Sequence, residues 1–154
     1  MSAERSIGKI KLLIVEDDQN TLELYDRSFP EELFEKKLVM NGATALEAYR
    51  TWAPDMVILD IMLPVFSGYK VLETLYEEKF ESPAITIMAT ALGRQNDVID
   101  YLKFGASGYI VKPFEKNKIV LQMLEYYKKK HPAKAEATLE NYKKLIDTKK
   151  QAAR

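Results

Sequence analysis

Two rhythms of hydrophobic and polar positions alternate along this chain: short continuous apolar runs, and stretches with a period near 3.6. Ile10–Val15 (IKLLIV) is an apolar run of the kind that fills a strand buried on both faces. Residues 20–28 place Leu22, Leu24, Tyr25 and Ser28 at helical spacing. Residues 37–40 read as a short second strand. Gly42–Trp52 reads as a helix with Ala45, Leu46, Ala48 and Tyr49 inward, stopped by Pro54. Residues 55–60 (DMVILD) form the third strand. A loop with Pro64 follows, and Ser67 caps a helix carrying Val71, Leu72, Leu75 and Tyr76. Pro83 precedes a fourth strand over 84–89. A helix over 95–104 has Val98, Ile99 and Leu102 as its stripe, with Gly105 at its C-terminal cap. The fifth strand spans 107–111 and Lys112-Pro113 makes a turn. A fifth helix over 115–130 turns Ile119, Val120, Met123, Leu124 and Tyr127 inward.

Five strand–helix units of this length specify an α/β fold on a mostly parallel sheet. Right-handed crossovers restrict its topology. The expected architecture is a flavodoxin-like doubly wound (βα)5 fold with strand order 2-1-3-4-5, whose ligand site lies at the carboxyl ends of strands 1 and 3. The chain divides into a short lead over 1–8, a globular domain over 9–130 and a C-terminal helical extension over 131–154.

Composition narrows the chemistry. With 154 residues, of which 47% are hydrophobic and 30% charged, a full core forms without staples. The absence of Cys excludes disulfides, thiolate zinc sites and iron–sulfur clusters, and a single histidine, His131, excludes a multi-histidine metal site. No apolar run approaches a membrane span, and MSAERSIGK lacks a signal core, so a cytoplasmic protein without membrane contact is expected. The formal net charge of zero conceals an asymmetry. Residues 1–127 hold 14 Lys/Arg against 20 Asp/Glu, whereas residues 128–154 hold nine against three. The basic tail is either a solvated helix face or a surface for an acidic protein or nucleic acid.

Chemistry concentrates where strands end. Glu16-Asp17-Asp18 follow strand 1, Asp60 ends strand 3, Thr90 ends strand 4 and Lys112 ends strand 5. Taken singly, each has an ordinary reading: Asp17 and Asp18 as helix caps, Asp60 as a turn residue, Thr90 as a strand-end hydroxyl, Lys112 as a solvated charge. Taken together, four strand ends carry complementary groups at one edge of the sheet. Three converging carboxylates repel unless a cation joins them, and an all-oxygen set suits Mg²⁺. Lys112 and Thr90 add a cation and a hydroxyl for phosphoryl oxygens. The combination is equipment for accepting a phosphoryl group.

With these motifs in order, the sequence resembles the receiver domain of bacterial response regulators over about residues 9–130. The resemblance rests on IVEDD (14–18), DIMLPVFSG (60–68), the Thr90-Ala91 pair and GASGYIVKPF (105–114). It implies that Asp60 is the phosphoacceptor, with Thr90 and Lys112 binding the phosphoryl group. It implies a Mg²⁺ site made by Glu16, Asp17, Asp60 and the Met62 backbone carbonyl. It implies a Thr90–Tyr109 switch and a cis peptide before Pro113. Met62 and Leu92 occupy positions that tune phosphoryl lifetime in the family, and two apolar groups there imply slow self-dephosphorylation. Ala106-Ser107-Gly108 replaces the paired Asp residues of winged-helix transcription factors, which argues against their type of dimer.

The resemblance implies two-component phosphorelay signalling rather than a separate enzyme activity: phosphoryl transfer to its own Asp60 and its hydrolysis. The expected partners are a histidine kinase or histidine phosphotransferase, and a target protein at helix 4, strand 5 and helix 5. A homodimer through helix 5 and the tail is a further option. Alternatives are a relay to a histidine phosphotransferase, or a receiver cut from a longer regulator. A phosphatase with an Asp nucleophile fails because Asp-x-Asp is absent after strand 1. A flavin site fails because acids replace the phosphate loop. The tail, with Ala135, Leu139, Tyr142, Leu145 and Ile146 as one stripe, is expected to pack on the domain, pair with another copy or bind a partner. It is too short for a DNA-binding domain, so specific DNA binding is not expected, and His131 reads as a linker residue.

Overall fold

A computed structural model describes residues 8–153 except 92, 95 and 97. Five parallel strands form one sheet in the order β2-β1-β3-β4-β5, as the alternation of patterns implied. They are β1 (Ile10–Val15), β2 (Phe34–Val39), β3 (Met56–Asp60), β4 (Ile85–Ala91) and β5 (Ala106–Lys112). The helices are α1 (Gln19–Ser28), α2 (Gly42–Trp52), α3 (Gly68–Glu78), α4 (Val98–Leu102), α5 (Lys116–Lys128) and α6 (Pro132–Ala152).

Alternate residues of each central strand enter opposite layers, which is why these strands are apolar throughout. Leu12, Ile14, Met56, Ile58 and Ile87 pack under α1 and α5 with Tyr25, Met123 and Tyr127. Leu13, Val15, Val57, Leu59 and Met88 pack under α2, α3 and α4 with Tyr49, Leu72 and Tyr101. Pairing Val15 with Leu59, Asp60 with Ala89 and Ala91 with Lys112 sets the carboxyl ends of four strands side by side.

Three expectations needed correction. The second strand runs over Phe34–Val39, not 37–40. Its centre, Glu35-Lys36-Lys37, carries charge because β2 is an edge strand, with only Phe34 and Val39 buried. Within α4 the buried residues are Val98 and Tyr101, while Ile99 and Leu102 face outward at 62% and 50% exposure. The expected start of this helix, at 95, lies outside the described residues. Tyr76, grouped with Val71, Leu72 and Leu75 in the expected third helix, is also exposed.

Of the three fates open to the tail, the structure has it packed on the domain. Pro132 starts α6 at a position that needs no amide donor. The helix then lies along α5, burying Ala135, Thr138 and Tyr142, with Leu139 and Ile146 against the α1–α5 layer. His131 stacks on Tyr127, with ring centroids 4.7 Å apart, at the break between α5 and α6.

At the other edge of the sheet, the Tyr126 hydroxyl accepts the Tyr109 amide at 3.3 Å and donates to the Tyr109 carbonyl at 3.1 Å. Gly108 makes room for the Tyr126 ring, since any Cβ there would collide with it.

Candidate functional site

The acidic cluster stands at the carboxyl edge of the sheet, where β1 and β3 end. Glu16 and Asp60 are buried there and Asp17 is exposed. One carboxylate oxygen from each of the three lies within 4.8 Å of the others. Asp18 is not part of the cluster. It caps α1, accepting from the Thr21 amide at 2.9 Å and the Thr21 hydroxyl at 2.7 Å, and these bonds hold its carboxyl below the usual range.

Lys112, at the end of β5, reaches across the edge. Its Nζ lies 3.0 Å from Glu16 Oε1 and 3.0 Å from Asp60 Oδ2. The Lys112-Pro113 peptide is cis. Burial alone would lower the Lys112 pKa, but the bonds to Asp60 and Glu16 hold it above its ordinary value. Glu16 is pushed up to about 7, first by burial and then by neighbouring Asp60. The Asp18 amide donates to Glu16 Oε2 at 3.2 Å, and the Met62 amide to Asp60 Oδ1 at 3.1 Å. Among the described residues the donor set is all oxygen, compact and rich in charge, which fits a small hard cation.

The remaining expected residues flank this centre. Thr90 is buried in β4, and its hydroxyl donates to the Arg94 carbonyl at 3.5 Å, across the loop that follows. Tyr109 lies on β5 with 40% of its surface exposed, and the Met62 side chain is exposed beside Asp60. Leu92 lies outside the described residues.

Two neighbours play parts that the sequence reading did not assign them. Gly68 begins α3 directly against Asp60, and a Cβ there would collide with the Asp60 carbonyl oxygen. The sequence held the signal, a glycine eight residues past Asp60, but only the fold shows what it avoids. Tyr25, stacked on Phe114 at 4.4 Å, buries a hydroxyl that has no hydrogen-bond partner among the described residues. Burial first, then the charges of Glu16 and Asp60, raise its pKa. Nothing in the helical spacing of α1 marks Tyr25 as more than a core aromatic.

Residues 12–124 match the profile of the response regulator receiver domain. The chain belongs to this family. It is 32% identical over 110 residues to the chemotaxis protein CheY of Halobacterium salinarum, a match covering 71% of this chain and 90% of that one. It is 33% identical over 113 residues to the transcriptional regulatory protein PcoR of Escherichia coli, covering 73% of this chain. It spans 49% of the length of PcoR and 24% of the regulatory protein AtoC. Among solved structures it resembles a response regulator from Chloroflexus aurantiacus, with a TM-score of 0.72 and 27% identity over 78% of this chain and 98% of that one.

The receiver domain is thus a module of two-component signalling, in which such domains partner with histidine kinases and typically are not enzymes in the ordinary sense. Its Glu16–Asp17–Asp60 pocket is consistent with the phosphorylation site, and the cluster is typical of a receiver Mg²⁺ site. Among the described residues no helix is long and apolar enough to cross a membrane.

Proposed function

We propose that Asp60 accepts a phosphoryl group from a phosphohistidine donor, a histidine kinase or histidine phosphotransferase, and that this switches a protein-binding surface. The reading places the receiver domain over 9–130 and works in the cytoplasm. The observation that carries it is the Lys112 bridge, 3.0 Å to both Glu16 and Asp60, with Asp17 beside them. A carboxylate so placed has a cation ready for the phosphoryl oxygens.

In this reading an Asp60 carboxylate oxygen attacks phosphorus. The P–O bond forms as the P–N bond to the donor breaks, and the electron pair returns to the imidazole. Glu16, Asp17, Asp60 and the Met62 carbonyl would hold Mg²⁺, which when bound offsets charge on the phosphoryl oxygens. Thr90 leaves its weak bond to the Arg94 carbonyl and donates to the new phosphoryl group. Tyr109 follows into the vacated space, and the two ring positions are populations shifted by phosphorylation. Exposed Ile99, Leu102 and Tyr109 supply apolar contacts for a target protein at α4, β5 and α5. A homodimer through α5 and the tail would have to use the outer face of α6, since Ala135, Leu139 and Tyr142 of its apolar stripe pack on the domain.

The test is phosphorylation by acetyl phosphate with Mg²⁺, read by intact mass. One phosphoryl group is expected on the native chain and none on Asp60→Asn. Label persisting for minutes or longer fits the apolar Met62 position. Label on Asp60→Asn, or none on the native chain, defeats the reading. Transfer of label onward to a histidine phosphotransferase would favour the relay alternative.

A further inference from the structure

We propose that the groove between α1, α5 and α6 is a docking site for an acidic, amphipathic segment of a partner protein. The groove has a volume of about 320 Å³. Arg27 from α1, Lys116 from α5, and Lys149 and Lys150 from α6 line it. Among the described residues no carboxylate lines it. Arg27 also reaches Glu23 at 3.8 Å, one turn earlier on the surface of α1.

The charge is local, not a general property of α6. On the other side of the α5–α6 pair, a second groove carries Glu125 and Glu136 beside Lys128 and Lys143. Lys116 sits in the first turn of α5, the positive end of that helix, where a cation is unfavourable. The first turn of α5 contains no acid, and Glu115 at its N-cap makes no capping bond. The C-terminal, negative ends of α1 and α6 meet the same groove and offset the positive end of α5, and Glu115 is paired with Lys118, so the positive charge of the groove rests on its four side chains.

The floor of the groove decides the class of partner. Tyr142, Leu145 and Ile146 lie between the cations, with Pro30 at one end. A duplex backbone offers phosphates but no apolar side chains to fill such a floor. A protein segment with acids on two flanks and apolar residues between them matches both features. The groove depends on α6, which lies beyond the residues 12–124 that match the family profile. It is separated from the Asp60 pocket and does not require phosphorylation.

The experiment uses the full chain and a fluorescein-labelled 18-residue helix-forming peptide of Glu and Leu, read by anisotropy. Micromolar binding is expected at 50 mM salt, falling at least tenfold at 300 mM. Reversing Lys116, Lys149 and Lys150 to Glu should weaken it at least tenfold. Reversing Lys134, Lys143 and Lys144, the same change in net charge, should weaken it less than threefold. A peptide with Ser for Leu should bind at least fivefold more weakly, and Asp60→Asn should bind like the native chain. Circular dichroism melts establish that both triple variants are folded. Equal weakening by the two triple variants, or absence of binding, overturns the proposal. So does a 16-base-pair DNA duplex that competes as well as unlabelled peptide, which would make the groove a nucleic-acid surface. Loss of binding in Asp60→Asn would tie the groove to the pocket and overturn its independence.

Discussion

Glu16 and Asp60 are bound to one ammonium: Lys112 Nζ stands 3.0 Å from an oxygen of each. Both carboxylates are buried, and two such charges side by side repel unless a cation joins them. Lys112 joins the two carboxylates as a divalent ion at the proposed site would.

Replacing the bridge tests this. Lys112→Met should destabilise the metal-free chain by about 3 kcal/mol, as expected for breaking a buried pair. Saturating Mg²⁺ should restore a large part of the loss. Urea unfolding with and without Mg²⁺ is the measurement. A loss untouched by Mg²⁺ would mean that the metal does not sit on these carboxylates.

Glu16 sets a pH dependence with a definite sign. Its pKa rises from 4.5 to about 7 on folding, so between these values the folded chain holds the extra proton. Its contribution therefore favours folding below about pH 4.5, is lost as pH rises to about 7, and is constant above. Glu16→Gln should remove this slope and stabilise the metal-free chain at pH 8 by on the order of 2 kcal/mol. Unfolding midpoints across pH 5–8 in EDTA, native against variant, measure it.

At the proposed site, Mg²⁺ binding should displace that proton. Affinity should rise about tenfold per pH unit below about 7 and level off above it. Mg²⁺ titrations at pH 6, 7 and 8 read this directly. A flat profile would place the cation away from Glu16.

Gly68→Ala puts a methyl group against the Asp60 carbonyl oxygen, where backbone and not a flexible side chain must yield. A loss of about 3 kcal/mol is expected. In whatever fraction remains folded, phosphorylation by acetyl phosphate should be slower, because the strand end carrying Asp60 has moved. Thermal unfolding and intact mass follow the two effects separately.

Tyr142→Ala removes a buried ring that ties α6 to the α1–α5 layer. The cost should be about 3 kcal/mol. Amide exchange should rise first in α6, with β1 and β3 still protected.

The sequence made much of this legible, for identifiable reasons. β1 and β3 are buried on both faces and read as apolar runs, interrupted in β1 only by Lys11, so their ends, and with them Glu16 and Asp60, could be placed. β2 was half missed because an edge strand tolerates Lys and Glu at its centre. The inner face of α4 was misassigned because five residues hold too few turns to define a stripe, and Ile99 and Leu102 point away from the core. The joining of Lys112 to both carboxylates depends on β5 lying two strands from β3, which no local pattern encodes. The same holds for the meeting of α1, α5 and α6.

The hydroxyl of Tyr126 has a consequence for how copies of this chain can assemble. β5 is an outermost strand, and such a strand ordinarily offers its outward amides and carbonyls as a template for a neighbour's backbone. At Tyr109 both groups are already taken by one phenol, which stands where a sixth strand would begin. Sheet extension past Tyr109, whether by an added peptide or by a growing fibril, must first pull that phenol away. Helix faces, by contrast, remain open to contact without breaking any backbone pairing.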